Sequence, residues 1–296
     1  GKFKNVSQQI APELQQLGLI TDALWLDADG DQDQDLIVAG EWMPITLFLN
    51  ENGQFNKSTI QQFNNSKGFW HCLQAADFDQ DGDLDFIAGN MGKNTRLEAS
   101  ARQPLRMYIN DFDQNGTAEQ ILTQYEGEQA YPLVLRNDLI MQLPHLKKKY
   151  LQFENYEAQT IEDIFTAEEL QNTLTLEINT LESMLFLNQG NGTFESKTLP
   201  IEAQISPTYG IATADFDKDE NIDILLGGNF YRSKPELGIY DASYGTFLKG
   251  DGRGNFTSIS AKESGFSVKG EIRDMELVGN LVLVGKNNKK LEVFSF

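Results

Sequence analysis

The stretch LQAADFDQDGDLDFIAG, residues 73–89, places an acidic nonapeptide, 77–85, between two short apolar runs. The same arrangement recurs with nonapeptides at 27–35, 111–119 and 215–223. Four copies of one supersecondary pattern indicate an architecture assembled from similar units. The sequence therefore predicts four strand–loop–strand hairpins. We call their nonapeptides the first to fourth acidic loops, in chain order.

A second pattern follows several of these hairpins. A hydrophobic run, an Asn/Gly turn and a glycine shortly before a phenylalanine recur at 47–59, 185–198 and 247–258. Asn-Gly and Gly-Asn steps between strand-like runs are typical of tight hairpin turns. One repeat is therefore expected to have four short strands. Serial four-stranded units predict an all-β fold, a β-propeller, in which each blade packs against its neighbours.

The two ends of the chain suggest how such a propeller would close. Residues 1–7 have the pattern of an outer strand, and 270–296 contains three strand-like runs without an acidic loop. Pairing the N-terminal strand with the C-terminal blade would remove two free edges. We therefore expect about five blades, in a single domain over 1–296, with the 185–198 turn assigned to the third acidic loop.

Residues 137–180 have a different, helical pattern. Leu139, Ile140 and Leu143 are at helical spacing. Thr160 with Asp163, and Thr166 with Glu169, have the spacing of capping boxes that begin helices. A segment of this size buries too little apolar surface to fold alone. We expect a helical insertion within the propeller domain.

The composition limits the possible partners. The 296 residues include 44 acidic and 24 basic ones, a formal charge of −20, and 40% are hydrophobic. This charge argues against a nucleic-acid partner and favours cation binding. No apolar run approaches the roughly 18 residues of a membrane span, so the chain is not expected to span a membrane. Cys72 is the single cysteine, which excludes an internal disulfide framework.

The acidic loops have the donor pattern of a calcium site. Oxygen-bearing side chains occupy positions 1, 3, 5 and 9, and position 7 can offer its carbonyl oxygen. Calcium takes six to eight oxygen ligands in a flexible shell, whereas magnesium requires a smaller octahedral one and zinc prefers histidine or cysteine. The sequence predicts up to four calcium ions. The candidate ligands are Asp27, Asp29, Asp31, Asp33 and Asp35; Asp77, Asp79, Asp81, Asp83 and Asp85; Asp111, Asp113, Asn115, Thr117 and Glu119; and Asp215, Asp217, Asp219, Asn221 and Asp223.

The four loops are not equivalent. The second loop has aspartate at every expected ligand position and Gly82 at position 6. The first and fourth loops have Gln32 and Glu220 at that position, where a left-handed conformation costs a non-glycine residue about 1 kcal/mol or more. The third loop has one charge fewer, because Asn115 occupies position 5. We expect distortion or weaker binding in the first and fourth loops.

These residues carry a family resemblance. The Asp-x-Asp-x-Asp-Gly-x-x-Asp loop, followed by an apolar strand and glycine, resembles the FG-GAP/VCBS repeats of integrin-type calcium-binding propellers. The chain also resembles the bacterial relatives of the cartilage acidic protein family. The segments that carry this second resemblance are Gly89-Asn90 with Asn94-Thr95, Tyr131-Pro132, 143–150, 228–245 and 291–294.

The resemblance implies a calcium-stabilised, non-enzymatic binding module, secreted or at the cell surface. Some members of that bacterial group look associated with outer-membrane nutrient-uptake systems of Gram-negative bacteria, so a subunit of such an assembly is a further expectation. The partner would be a protein or a glycan. Because propellers also carry glycosidases and polysaccharide lyases, a calcium-dependent carbohydrate-active enzyme is the alternative. Carboxylates that face a central cavity outside the loops would favour it.

Two further groups of residues are candidates for function. His71 precedes an inner strand and is expected to pack near the propeller axis, and Cys72 beside it points to the opposite face. We expect no catalysis from either. The loop after the fourth hairpin is rich in aromatic and polar side chains, which would contact a ligand or fold over their own blade. These side chains are Tyr231, Arg232, Tyr240, Asp241 and Tyr244.

Overall fold

The computed structural model describes residues 1–58, 61–234 and 237–296 and is composed mainly of antiparallel β-sheets. Its strands are β1 Leu19–Leu26, β2 Asp35–Met43, β3 Thr46–Glu51, β4 Gln54–Lys57, β5 Gly68–Phe69, β6 Cys72–Ala76, β7 Asp85–Gly89, β8 Leu105–Asn110, β9 Glu119–Glu126, β10 Gln129–Pro132, β11 Leu174–Ile178, β12 Met184–Asn188, β13 Phe194–Thr198, β14 Thr208–Ala214, β15 Asp223–Gly228, β16 Thr246–Gly250, β17 Phe256–Ile259, β18 Ile272–Val278, β19 Leu281–Lys286 and β20 Glu292–Ser295. The expected all-β class is confirmed.

The helices are short. The α-helices are α1 Ser7–Ile10, α2 Arg136–Gln142, α3 Ile161–Ile164, α4 Ala167–Gln171 and α5 Ala261–Ser264. The 3₁₀ helices are Pro12–Leu14, Gln61–Asn65, Pro144–Lys148, Phe153–Asn155 and Ile201–Gln204. Residues 59, 60, 235 and 236 lie outside the described residues. Of these, 59 belongs to the 47–59 sequence segment, and 235 and 236 belong to the 228–245 segment.

The chain divides into two compact units. Unit 1 comprises Gly1–Arg96 and Leu181–Phe296, and unit 2 comprises Leu97–Thr180. The described residues of unit 1 form four sheets, which we number along the chain. Sheet 1 has the order β1-β2-β3-β4 with β5 paired to β2, sheet 2 has β6-β7-β12-β13, sheet 3 has β14-β15-β16-β17 and sheet 4 has β18-β19-β20. Unit 2 contains sheet 5, in the order β10-β9-β8-β11.

In unit 1, sheets that follow each other along the chain pack against a common hydrophobic core. Ile224 and Leu226 of β15 pack with Ile87 and Leu185 of sheet 2. Leu225, between them in the chain, packs with the core of sheet 4. Successive side chains of a strand point to opposite faces, so sheet 3 lies between two apolar layers. This arrangement explains why β15 is buried at every residue instead of at alternate ones.

Unit 2 has a core of its own. Ile121 of sheet 5 and Leu139 of α2 are fully buried in it, and the rings of Phe112 and Phe165 stack at 4.0 Å. The Thr160 and Thr166 side chains accept hydrogen bonds from the amides of Asp163 and Glu169, as the two capping boxes predicted. The interval 137–180 contains α2, α3 and α4 almost entirely, but it also contributes β11 to sheet 5.

The expected closure by an N-terminal strand is wrong for this chain. Residues 1–6 form no strand, and sheet 4 consists of β18, β19 and β20 only. The Oδ1 atom of Asn5 accepts a hydrogen bond from the amide of Ser7 and so turns the chain into α1. Glu13 then accepts a hydrogen bond from the amide of Lys57 at 3.1 Å. The N-terminal segment is therefore anchored beside β4 of sheet 1.

The assignment of the 185–198 hairpin to the third acidic loop is also wrong. Its first strand, β12, pairs antiparallel with β7, as Leu185 with Ile87 and Phe186 with Phe86. The hairpin therefore completes the sheet of the second acidic loop. Unit 2, which carries the third loop, interrupts that sheet between its second and third strands. Sequence proximity favoured the wrong pairing, because the partner strands are separated by a complete folded unit.

Candidate metal centres

Each acidic loop brings three carboxylates together. In every loop, one oxygen from each of positions 1, 3 and 9 lies within 4.8 Å of the other two. The four groups are Asp27, Asp29 and Asp35; Asp77, Asp79 and Asp85; Asp111, Asp113 and Glu119; and Asp215, Asp217 and Asp223. Carboxylates at this separation repel each other unless a cation or a proton compensates them. These groups can hold metal ions.

In sheets 1, 2 and 3, the aspartate at position 9 links its own loop to the third strand of the sheet. Asp35, Asp85 and Asp223 are buried, and the Oδ2 atom of each accepts a hydrogen bond from the amide of position 2. The Oδ1 atom of each accepts a second hydrogen bond from an amide on the third strand of the sheet, at 2.8–2.9 Å. The donors on the third strand are Asn50, Asn188 and Gly250. The position-9 aspartate therefore fixes the loop to the sheet through hydrogen bonds that require no metal ion.

Position 1 fixes the turn of the loop. The Oδ2 atom of this aspartate accepts a hydrogen bond from the amide of position 6 in all four loops. Positions 4 and 6 have left-handed backbone conformations throughout. The residues are Gly30, Gln80, Gln114 and Lys218 at position 4, with φ of 79°, 63°, 59° and 64°, and Gln32, Gly82, Gly116 and Glu220 at position 6, with φ of 74°, 98°, 89° and 72°. The first and fourth loops keep this geometry without glycine at position 6, so their backbone is not distorted, and weaker binding stays a prediction.

Position 5 lies outside the group of three carboxylates. Its side-chain oxygen accepts a hydrogen bond from the amide of position 7, as Asp31 does from Asp33 and Asp81 from Asp83. Asn115 and Asp219 accept the same bond from Thr117 and Asn221. The position-7 side chains are likewise not part of the groups of three. The structure therefore brings positions 1, 3 and 9 together and uses position 5 to shape the turn.

Unpaired oxygens distinguish the second loop. The Oδ1 atoms of Asp77 and Asp79 are buried, and neither has a hydrogen-bond partner among the described residues. A buried carboxylate oxygen without a partner is costly, and coordination to a cation removes the cost. In the first loop, the Oδ1 atom of Asp33 is likewise buried and has no hydrogen-bond partner among the described residues. The residues of the second loop therefore fit a calcium ion best.

Burial and charge make the acidic groups hard to ionise without a cation. Burial raises the pKa of Asp85 to about 7, although the amides of Phe78 and Asn188 stabilise its charged form. Burial also raises the pKa of Asp35 and of Asp223. The pKa of Asp79 is raised first by burial and then by the negative charge of Asp81. A divalent ion would favour the charged form of each group.

The fourth loop contains a cation from the chain itself. The Nζ atom of Lys249, on β16, contacts Asp217 and lies 2.7 Å from Asp219. These hydrogen bonds raise the pKa of Lys249, and the lysine lowers the pKa of Asp219. The sequence analysis missed this residue. A signal for it is visible when the three third strands are aligned on the amide that binds position 9. The residue before that amide is Leu49 in sheet 1 and Leu187 in sheet 2, but lysine in sheet 3.

Each loop of sheets 1 and 2 is also bonded to the next sheet. The carbonyl oxygen of Ala28 accepts a hydrogen bond from the amide of Gly192, at the turn before β13. The carbonyl oxygen of Phe78 accepts one from the amide of Gly254, at the turn before β17. The acidic loop and the glycine turn, which recur separately in the sequence, therefore meet between neighbouring sheets.

The other candidate residues lie outside the acidic loops. The ring of His71 stacks on Tyr209 with centroids 4.1 Å apart, and burial lowers its pKa to about 4. Burial raises the pKa of the Cys72 thiol, whose sulfur lies 3.6 Å from the carbonyl oxygen of Thr208. His71 is therefore neutral and Cys72 protonated near pH 7. Tyr240 is buried, with its hydroxyl 2.9 Å from the Thr95 hydroxyl.

The rest of the aromatic cluster lies at the surface. Tyr231 and Tyr244 are 37% and 51% exposed. The amide of Tyr231 donates a hydrogen bond to the carboxylate of Glu271 at 2.9 Å, so the backbone of this loop is held against sheet 4. The predicted cluster is thus divided, with Tyr240 inside and the other two tyrosines available for contact.

The comparison with family models identifies the repeat. Residues 27–88 match the FG-GAP-like repeat. The match begins at position 1 of the first acidic loop and ends within β7. It therefore covers the first loop, the remainder of sheet 1 and the second loop.

The comparisons with individual proteins show little sequence or structural similarity to this chain. The search of curated proteins found no match to this chain. Among solved structures, a lectin of Agrocybe aegerita, described as recognising non-reducing terminal N-acetylglucosamine, is 14% identical over 99% of this chain and 83% of its own, with a TM-score of 0.22. At that score the two chains do not superpose as a whole, and the sugar specificity belongs to that lectin. No helix among the described residues is long and apolar enough to cross a membrane.

Proposed function

We propose that this protein is a calcium-stabilised β-propeller that acts as a non-enzymatic interaction module. The observation that carries the proposal is the pair of buried, unpaired carboxylate oxygens on Asp77 and Asp79, in a loop where three carboxylates converge. The match of residues 27–88 to the FG-GAP-like repeat supports the same conclusion. In this proposal the antiparallel sheets are blades, and calcium holds the loops between them.

Removal of calcium tests the proposal. Thermal unfolding should be measured in calcium and in a chelator, for the wild type and for Asp77→Asn with Asp79→Asn. Calcium at a hundred times its dissociation constant would stabilise the folded state by about 2.7 kcal/mol per site. The wild type should therefore melt several degrees lower in chelator, and the variant should lose part of that difference. Identical wild-type melting curves in the two buffers would contradict the proposal.

The proposed partner is a protein or glycan outside the cell, at the surface of a Gram-negative bacterium or within an outer-membrane uptake assembly. Tyr231 and Tyr244 supply an exposed aromatic surface for it. A glycan array and a panel of purified surface proteins should be probed with the wild type and with Tyr231→Ala plus Tyr244→Ala. Tyr131→Ala, in unit 2, serves as the control. Binding that survives the double substitution would place the contact elsewhere.

A cavity in unit 1 favours a second candidate function, a calcium-dependent carbohydrate-active enzyme. The cavity has a volume of about 310 Å³, and Asp22, Asp274 and Glu276 contribute carboxylates to its wall. Both oxygens of Asp22 accept hydrogen bonds from backbone amides, of Ala23 and Leu73. Asp274 and Glu276 remain as the candidate acid and base. They are two residues apart on one face of β18, which separates their Cα atoms by about 7 Å.

Polysaccharide turnover separates the two functions. Release of reducing or unsaturated ends from a polysaccharide panel should be measured for the wild type, Asp274→Asn and Glu276→Gln. Glycosidases require two carboxyl groups that flank the bond. Turnover that both substitutions abolish would establish the enzyme. Binding of a glycan without turnover would support the interaction module.

A further inference from the structure

The fourth acidic loop differs from the first and second in what lies beside it. The amides of Asn50, Asn188 and Gly250 occupy equivalent positions, because each binds the Oδ1 atom of position 9. The residues immediately before them are therefore equivalent too. Two are Leu49 and Leu187, which pack in apolar cores, and the third is Lys249. The same strand position is apolar in two sheets and cationic in sheet 3.

The Lys249 ammonium lies where a metal ligand set would form. It contacts Asp217 at position 3 and Asp219 at position 5, and Asp217 also belongs to the converging group of carboxylates. In contrast with the second loop, no described carboxylate oxygen of the fourth loop is both buried and unpaired. The negative charge of Asp217 and Asp219 is thus partly compensated within the chain.

We propose that Lys249 is the resident counter-ion of the fourth loop, so that this loop keeps its conformation without a metal and binds calcium far more weakly than the second. An incoming divalent ion must displace the ammonium or bear its repulsion at contact distance. The proposal rests on the proposed function for the other loops. It predicts two classes of acidic loop in one chain, one that depends on a metal ion and one whose carboxylates are paired with a lysine of the chain.

Substitution by the residue found at the equivalent positions tests the proposal. Calcium or terbium stoichiometry should be measured by titration for the wild type and for Lys249→Leu. The variant should gain one site, or bind at the fourth loop about tenfold or more tightly. Asp215→Asn should remove the gained site from the variant and leave the wild-type stoichiometry unchanged. Loss of a site from the wild type on Asp215→Asn would overturn the proposal.

Melting in chelator gives a readout that does not depend on calcium at the other loops. Lys249→Leu should lower the melting temperature there, because the acidic groups of the fourth loop lose their counter-ion. A second substitution, Asp217→Asn, should restore part of the loss. Lys197→Leu is the matched control, since its exposed pair with Glu195 is long, at 3.9 Å, and lies outside the loops. An unchanged melting temperature for Lys249→Leu in chelator would refute the role of the lysine.

The two proposals fail in different ways. If the wild type binds no calcium at all, the proposed function is wrong, and the melting temperatures in chelator still decide whether Lys249 stabilises its loop as a counter-ion. If the wild type binds calcium at the fourth loop as tightly as Lys249→Leu does, the inference is wrong and the proposed function stands.

Discussion

Burial and backbone hydrogen bonds shift the pKa of the aspartate at position 9 in opposite directions. Asp85 has a relative exposure of 0% and accepts two backbone hydrogen bonds, yet its pKa is raised from 3.8 to about 7. Desolvation outweighs the two amide donors. In the metal-free protein the group is therefore protonated in about half of the molecules near pH 7, and it would release that proton when a cation binds.

This shift predicts an unusual pH dependence for calcium-free protein. A carboxyl group whose pKa is higher in the folded than in the unfolded state contributes stability that is full below about pH 4 and is lost as the pH rises through about 7. The melting temperature in chelator should therefore fall between pH 5 and pH 8. High salt should be present, because it screens the exposed charges but not the buried group.

Calcium should weaken or reverse this trend, since the ion requires the charged form of the ligands. Melting curves at matched pH values, with and without calcium, provide the comparison. A calcium-free protein that gains stability steadily from pH 5 to pH 8 would show that the buried carboxyl groups do not govern the pH dependence.

The left-handed positions of the loops yield a second prediction at this scale. A Cβ atom at Gly82 would meet no other atom within 4 Å, so Gly82→Ala adds only backbone strain, with a cost of about 1–2 kcal/mol. A Cβ atom at Gly30 would lie 2.9 Å from the carbonyl oxygen of Gly190. Gly30→Ala should therefore cost more than Gly82→Ala in denaturant unfolding. The reverse order would exclude this contact as the source of the difference.

At the scale of elements, the glycine turns determine how neighbouring sheets meet. Gly254 donates a hydrogen bond to Phe78 of the preceding sheet, and its φ is 69°. A Cβ atom there would lie 2.9 Å from Cδ1 of Leu187. Because Leu187 is buried between sheets 2 and 3, it has little freedom to move.

Gly254→Ala should therefore destabilise the protein by about 2–4 kcal/mol, from strain at positive φ together with overpacking. Gly279→Ala is the matched control, because Gly279 has a φ of 62° and a Cβ atom added to it would meet nothing within 4 Å. The control should cost only about 1–2 kcal/mol. Urea unfolding of both variants measures the difference, and equal losses would argue against a tight junction between the sheets.

At the scale of the whole molecule, unit 2 is an insertion with adjacent ends. The amide of Gly92 donates a hydrogen bond to the carbonyl oxygen of Leu181 at 2.7 Å, and the Lys93 ammonium lies 3.0 Å from Glu182. The chain thus leaves unit 1 and returns to it at nearly the same place. Each unit also has a hydrophobic core of its own.

Replacement of Leu97–Thr180 by a short Gly/Ser linker should leave unit 1 folded, because a short loop costs little closure entropy when its ends are already close. The circular dichroism spectrum should keep its β-sheet character. The calcium stoichiometry should fall by the contribution of the third loop and no further. Aggregated or unfolded protein would show that unit 1 requires unit 2.

The hairpins and their loops were predictable from the sequence alone. Short apolar runs on either side of an acidic nonapeptide specify two strands and the turn between them, since all the interacting groups lie within about ten residues. The helix starts at Thr160 and Thr166 are local in the same sense, and the structure has both. The converging carboxylates follow from the loop pattern, because positions 1, 3 and 9 are set by one turn conformation.

Only the tertiary structure decided which distant elements meet. The pairing of β7 with β12 joins residues on either side of an entire unit, and no local pattern encodes that distance. The same holds for Lys249, which contacts Asp217 from another strand of its sheet. It also holds for the buried, unpaired oxygens of Asp77 and Asp79, because their burial depends on the packing of the surrounding residues. Local spacing determines hairpins and turns, whereas long-range pairing and burial depend on the packing of the complete chain.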